Sequence, residues 1–176
     1  GQKGSLLVLS GDVILLKKKS MLELLKRHEE SKATATLVTA KLENPNGYGR
    51  ILKKKEAIIG IREEADASEE ERKICEINSG IYCFEISALF EALARIKPDN
   101  RQNEYYLTDV ISRFVADGRK VVPFLFSDGK ETLGINDRVS IAEIEGIMQR
   151  QINESWMREG VTLQGPDSIY IDSRSE

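Results

Sequence analysis

The run Leu6-Leu7-Val8-Leu9 constrains this chain more than any other stretch. Four apolar residues in a row cannot alternate between core and solvent. The run therefore reads as a strand covered on both faces, as in a parallel sheet. It stops at Ser10-Gly11-Asp12, and a second apolar run starts at Val13. In open α/β sheets ligands sit beyond the carboxyl ends of the strands, which puts Asp12 where a metal or nucleotide binds. The plainer alternative is a strand that ends at a solvated turn with an ordinary aspartate. Only residues 1–5 precede the run, an unusual start for a strand expected at the centre of a sheet.

The chain has 176 residues, enough for one domain with its own core. A net charge of -3 argues against a general nucleic-acid surface, which usually carries a basic stripe. No apolar run reaches membrane-spanning length and no signal peptide opens the chain, so a cytoplasmic protein is expected. Cys75 and Cys83 match neither a zinc nor a redox spacing and read as buried small residues in a reducing compartment. The single histidine, His28, lies among charged residues on a helix and reads as a solvated surface residue.

Ser20-Met21-Leu22-Glu23 has the form of a capping box, and the apolar spacing after it predicts a helix over 20–30. Thr34 to Thr39 reads as the next strand, giving a parallel βαβ unit. Asn44-Pro45-Asn46-Gly47 demands a turn. Two strands, 51–52 and 58–61, flank the charged turn 53–56. Ser68-Glu69-Glu70-Glu71 is a second capping box, with acids at the positive end of a short helix. Glu76 to Phe84 is a strand interrupted by Asn78 and Gly80, and glycine inside a strand marks a bulge or a close ligand approach. Helices are predicted at 87–94, from Thr108 or Asp109 onward, and from Val139 to about Glu159. Strands are predicted at 121–126 and 132–135. The main domain is expected over residues 1–160, with 161–176 as a linker leaving it.

Asp12 and the segment Gly134-Ile135-Asn136-Asp137-Arg138 are the two candidates for a metal site, each a polar oxygen just past an apolar strand. Mg²⁺ takes few protein oxygens and keeps waters and substrate phosphates, so the Asp12 carboxylate and the Asn136 carbonyl suit it. Asn136 also lies just ahead of a long helix, where it or Asp137 is expected to act as the cap. Glu63 and Asn78 are polar interruptions at strand ends, of the kind that bind sugar hydroxyls, although Glu63 sits in Arg62-Glu63-Glu64 and also reads as a solvated charge. Gly47 and Gly49 bracket an aromatic and leave backbone N–H groups uncovered, in what is otherwise an ordinary loop. No Ser/His/Asp, Cys/His or zinc-like arrangement and no Gly-x-x-x-x-Gly-Lys-Ser/Thr loop occurs.

Six stretches, in this order and spacing, resemble one family. They are Leu-Ser-Gly-Asp-Val (9–13), Asn-Pro-Asn-Gly-Tyr-Gly-Arg-Ile (44–51), Asp-Ala-Ser (66–68), Glu-Ile-Asn-Ser-Gly-Ile-Tyr (76–82), Glu-Tyr-Tyr-Leu-Thr-Asp-Val (104–110) and Leu-Gly-Ile-Asn-Asp-Arg-Val (133–139). The family is the bacterial N-acetylglucosamine-1-phosphate uridyltransferases, the uridyltransferase domain of the bifunctional enzyme that forms UDP-N-acetylglucosamine. The resemblance implies a Rossmann-like nucleotidyltransferase α/β fold with a mixed, mostly parallel sheet. It implies Mg²⁺ at Asp12 and Asn136, and sugar-nucleotide contacts at Gly49, Glu63, Asn78 and Asn136. UTP and N-acetylglucosamine 1-phosphate would be the substrates, in the synthesis of cell-wall (peptidoglycan) precursors. Full-length members assemble as homotrimers through a left-handed β-helix acetyltransferase domain.

The chain departs from the family pattern at several points. The Gly-rich Leu-Ala-Ala-Gly-x-Gly-Thr-Arg-Met start is absent, as are the residues that read uracil and cradle the triphosphate. Ile14 stands where Pro is usual, Asn46 for Thr, Ala65 for the Lys before Asp-Ala, and Asn103 for the Gly before Glu-Tyr-Tyr. The expectation is an N-terminally truncated domain that does not turn over UTP alone and exposes an apolar patch. The alternatives are a related nucleotidyltransferase with another sugar or base, and a non-catalytic module binding a sugar nucleotide or a partner.

Overall fold

The structure, a computed structural model, describes residues 4–175. Six strands form one sheet, with the path β4-β3-β5-β2-β6 and β1 joined to β5. The elements that build it are β1 (Ser5–Val8), α1 (Lys18–Ser31), β2 (Ala35–Lys41), β3 (Arg50–Lys54), β4 (Ala57–Arg62), α2 (Glu69–Arg72), β5 (Glu76–Glu85), α3 (Ile86–Leu93), α4 (Asp109–Ala116) and β6 (Val121–Leu125). They belong to a compact unit ending at Thr132, and a second unit begins at Leu133.

β5 is the strand that organises the sheet. β2 runs antiparallel along one edge of it, pairing Ala35 with Phe84 and Lys41 with Glu76. The opposite edge is shared, because β3 pairs Arg50 with Ile77 and β1 pairs Val8 with Tyr82. The mixed sheet is as expected, but its weighting toward parallel ladders is not. Only β2 and β6 pair in parallel. β5 runs against β1 and β2 and lies between them, so the βαβ strands are separated rather than adjacent.

β1 is also not covered on both faces. Leu6 is 36% exposed, and Leu9, just past the strand, 44%.

The sheet carries apolar side chains on both faces. One face packs Leu37, Ile51, Ile61 and Phe84 against α3 and α4, through Leu89, Val110, Ile111 and Phe114. The other packs Val38, Ile81 and Cys83 against Leu24 of α1 and Phe126. Three local readings change with this packing. Lys17, not Ser20, is the N-cap residue of α1, and its side chain makes no cap bond. His28 is buried at 4% exposure with Nδ1 2.9 Å from Thr36 Oγ1, because the inward face of α1 carries it onto β2. Cys83 is buried as expected, whereas Cys75 is exposed. The Ser68–Glu71 capping box forms as predicted.

In the second unit, α5 (Arg138–Arg158) is capped by Asp137, which accepts the Ser140 N–H. The chain after α5 is held to it by Asn153, whose Nδ2 donates to the carbonyls of Pro166 and Ile169. The strand expected at 132–135 is absent. Gly129–Thr132 forms a 3-10 turn, and no strand covers 133–135.

Candidate functional site

The shared edge of β5 creates an opening. β3 leaves after Ile77 and β1 joins at Tyr82, so the intervening residues have no strand on that side. On the β2 side the register slips between Leu37 and Thr39, a bulge in β5 opposite Val38. Ser79 fills the slip by donating its hydroxyl to the Val38 carbonyl at 2.9 Å. The expectation that Gly80 marks a bulge therefore holds. Gly80 has φ +76°, and a Cβ there would lie 3.1 Å from Ser10 Cβ. Both the left-handed backbone and the crossing loop demand glycine.

Gly49, Glu63 and Asn78 meet at this opening. The Asn78 N–H donates to the Gly49 carbonyl at 2.8 Å. A Cβ on Gly49 would stand 3.1 Å from Glu63 Oε2, so a side chain there would push against the carboxylate. On its other oxygen, Glu63 accepts the Thr108 hydroxyl at 2.7 Å. Asn78 Oδ1 accepts the Gly80 N–H at 3.4 Å, and its side chain also bonds the Tyr82 phenol. Burial, and secondarily Glu63, push that phenol well above its ordinary range, so Tyr82 is a neutral hydrogen-bonding group at any working pH.

Glu63, Asn78, Gly80, Tyr82 and Thr108 line an open cavity of about 360 Å³, together with Val8, Leu9, Ser10 and the segment Tyr105-Tyr106-Leu107. That volume and this mix of apolar walls with a few fixed polar groups are typical of a small-molecule site. Its rim is acidic. Burial and the nearby Asp66 raise the carboxyl of Asp109. Tyr106 is raised by burial and by Asp66, Glu104, Glu63 and Asp109.

Asp12 lies in the turn after β1, half-buried and two residues past the cavity-lining Ser10. Asn136 is exposed in the second unit. Asp137 rather than Asn136 caps α5, so the Asn136 amide is not consumed by the cap. One carboxylate and one amide oxygen are donors of the hard, sparse kind that Mg²⁺ accepts. Among the described residues no three His, Cys, Asp or Glu side chains gather around a common point.

Thr108, Tyr82, Tyr105, Tyr106 and Ser10 carry no role in the sequence reading. Thr108 reads there as a helix cap, since a hydroxyl just before an apolar helix is the usual signal for one. It does precede α4, but its side chain makes no cap bond and turns to Glu63 instead. The departures are accommodated. Asn103 takes φ +54°, a conformation that asparagine tolerates better than other non-glycine residues. The Ala65 carbonyl accepts a bond from Arg101.

Residues 1–157 match the family model described as nucleotidyl transferase. The chain is 47% identical over 173 residues to the bifunctional protein GlmU of Syntrophotalea carbinolica, covering 98% of this chain and 37% of that relative. It is 44% identical over 172 residues to that of Halalkalibacterium halodurans, covering 97% of this chain and 38% of the relative. The chain thus spans under two fifths of the length of these curated relatives. Among solved structures it is similar to a putative glucose-1-phosphate thymidylyltransferase from Bacillus anthracis in complex with a sucrose. The TM-score is 0.59 at 17% identity, over 93% of this chain and 58% of that one, a likeness of fold.

Proposed function

The chain belongs to the nucleotidyl transferase family, and we propose that its cavity is the sugar subsite of an N-acetylglucosamine-1-phosphate uridyltransferase. The observation that carries this reading is that Glu63 and Asn78 line one cavity, while Gly49 stands behind them, bonded to the Asn78 N–H and close against the Glu63 carboxylate. Glu63 and Asn78 offer a fixed carboxylate and a fixed amide to sugar hydroxyls. Gly49 leaves the space that keeps the Glu63 carboxylate in place.

In the proposed reaction a phosphate oxygen of N-acetylglucosamine 1-phosphate attacks the α-phosphorus of UTP. The new P–O bond gives UDP-N-acetylglucosamine, and the bond to the β-phosphate breaks to release pyrophosphate. The attacking phosphate is already ionised near neutral pH, so no side chain has to remove a proton. The protein's part is positioning and charge neutralisation. Asp12 would hold Mg²⁺, and the bound ion would supply positive charge to the phosphate oxygens. Among the described residues no helix is long and apolar enough to cross a membrane. A cytoplasmic setting, where UTP is available, is part of the same proposal.

Calorimetric titration of UDP-N-acetylglucosamine with and without Mg²⁺ tests the reading. Glu63→Ala is expected to abolish binding under both conditions, and Asp12→Ala to remove only the increment that Mg²⁺ adds. Unchanged binding in Glu63→Ala would sink the assignment of this cavity.

A further inference from the structure

One wall of the cavity belongs to a loop that is folded on itself. The Asn100 Oδ1 accepts the N–H groups of Gln102 at 3.1 Å and Glu104 at 3.2 Å, and its Nδ2 donates to the Glu104 carbonyl at 2.6 Å. Asn103 closes the turn through its left-handed backbone, and the Tyr106 hydroxyl bonds the Gln102 side chain. Such a loop moves as a unit, so its position depends on what ties it to the body. Thr108 ties its end to Glu63.

Arg101 ties its middle, through its backbone N–H to Asp66 Oδ1 at 3.0 Å and its Nη1 to the Ala65 carbonyl at 2.9 Å. Ala65 and Asp66 belong to the turn that leaves Glu63, and the Asp66 N–H itself bonds the Glu63 carbonyl at 3.0 Å. Both ties therefore converge on the segment that holds the opposite, polar wall.

We propose that Arg101 is a positioning residue that sets the gap between the Tyr105–Leu107 wall and Glu63, and with it the preference for an acetamido sugar. The inference rests on the sugar-subsite reading. An acetamido group ends in a methyl, the one apolar end that such a sugar presents, and Tyr105, Tyr106 and Leu107 line the same cavity as the carboxylate. A wall held at fixed distance contacts that methyl. A loosened wall loses the contact, while a 2-hydroxyl sugar has little there to lose. The guanidinium also places a positive charge beside an acidic rim at the point where Ala65 supplies none.

The test compares UDP-N-acetylglucosamine with UDP-glucose by calorimetry on the 176-residue chain, alongside hydrogen exchange of its amides. In Arg101→Ala, affinity for UDP-N-acetylglucosamine is expected to fall about fivefold, the worth of one ordinary hydrogen bond. UDP-glucose should change by less than about twofold, and Arg101→Lys should restore most of the preference. The amides of Gln102 and Glu104 should exchange faster while those of β5 do not, which separates loop release from unfolding. An unchanged preference in Arg101→Ala overturns this inference alone. Binding of neither ligand by the unaltered chain overturns the sugar-subsite reading and the inference with it.

Discussion

The Thr108 hydroxyl donates to Glu63 Oε1 at 2.7 Å, joining residues 45 positions apart across the wall of the cavity. The bond orients one carboxylate oxygen, while Gly49 lies against the other. Thr108→Val keeps the shape and removes the donor. A hydrogen bond to a charged group contributes about 1.5 kcal/mol or more, so affinity for UDP-N-acetylglucosamine should fall at least roughly tenfold. Thr108→Ser should keep it. Equal affinities for all three proteins, measured by titration calorimetry, would remove the orienting role.

Glu131 serves the start of α1 from 111 residues away. Its buried carboxylate accepts the Ser20 hydroxyl at 2.9 Å and the Lys17 N–H at 2.9 Å, with the Lys17 ammonium 3.7 Å off. The charge also suits the positive end of the helix. Glu131→Ala strands the buried Ser20 hydroxyl and the part-buried Lys17 N–H and should cost about 1–3 kcal/mol in urea unfolding. Glu131→Gln retains an acceptor and should cost less. A neutral Glu131→Ala would show that the helix start finds other partners.

Gly80 combines a φ of +76° with the contact to Ser10. Gly80→Ala should lower stability by about 1–2 kcal/mol, from the strained backbone as much as from the contact. Ser10→Gly in the same chain should recover only the contact part. Full recovery of the melting temperature by the double variant would place the whole cost in the contact.

Burial holds the imidazole of His28 below its ordinary value of 6.5, against smaller opposing effects of Glu29 and Glu85. The unfolded chain then binds the proton more readily than the folded one. Stability is unaffected well above pH 6.5 and falls as the pH drops below it, until the folded-state value is passed. His28→Gln, which keeps a hydrogen-bonding group for Thr36, should flatten that slope on the acid side of 6.5. The comparison is a set of urea midpoints across that range. An unaltered slope would mean that carboxylates alone produce it.

Gly49, Glu63 and Asn78 stand out locally as a glycine beside an aromatic and polar residues in apolar strands, but the same patterns read as an ordinary loop and a solvated charge, and it was the resemblance that singled the three out together. Ser68 was legible as a cap, and the cap of α5 was narrowed to Asn136 or Asp137, because capping is a matter of three or four neighbouring residues. Ser20 was misread for the complementary reason. It satisfies the local capping pattern, yet its hydroxyl finds a better partner in Glu131, which no local window contains. His28 failed similarly, since charged neighbours in sequence say nothing about Thr36 on the strand beneath it.

Periodicity and turn chemistry by themselves determined where most helices and strands lie, the Ser68 cap of α2, and the α/β class. These are short-range effects, decided by backbone sterics and by side chains within a few positions of one another. Only the tertiary structure decided that β5 enters between β1 and β2, that β1 and β3 share one edge of it, and that a cavity opens between them. It also decided that Thr108 faces Glu63. Strand order and cross-chain hydrogen bonds depend on which distant surfaces bury the most apolar area together, a sum over the whole chain that no single stretch contains.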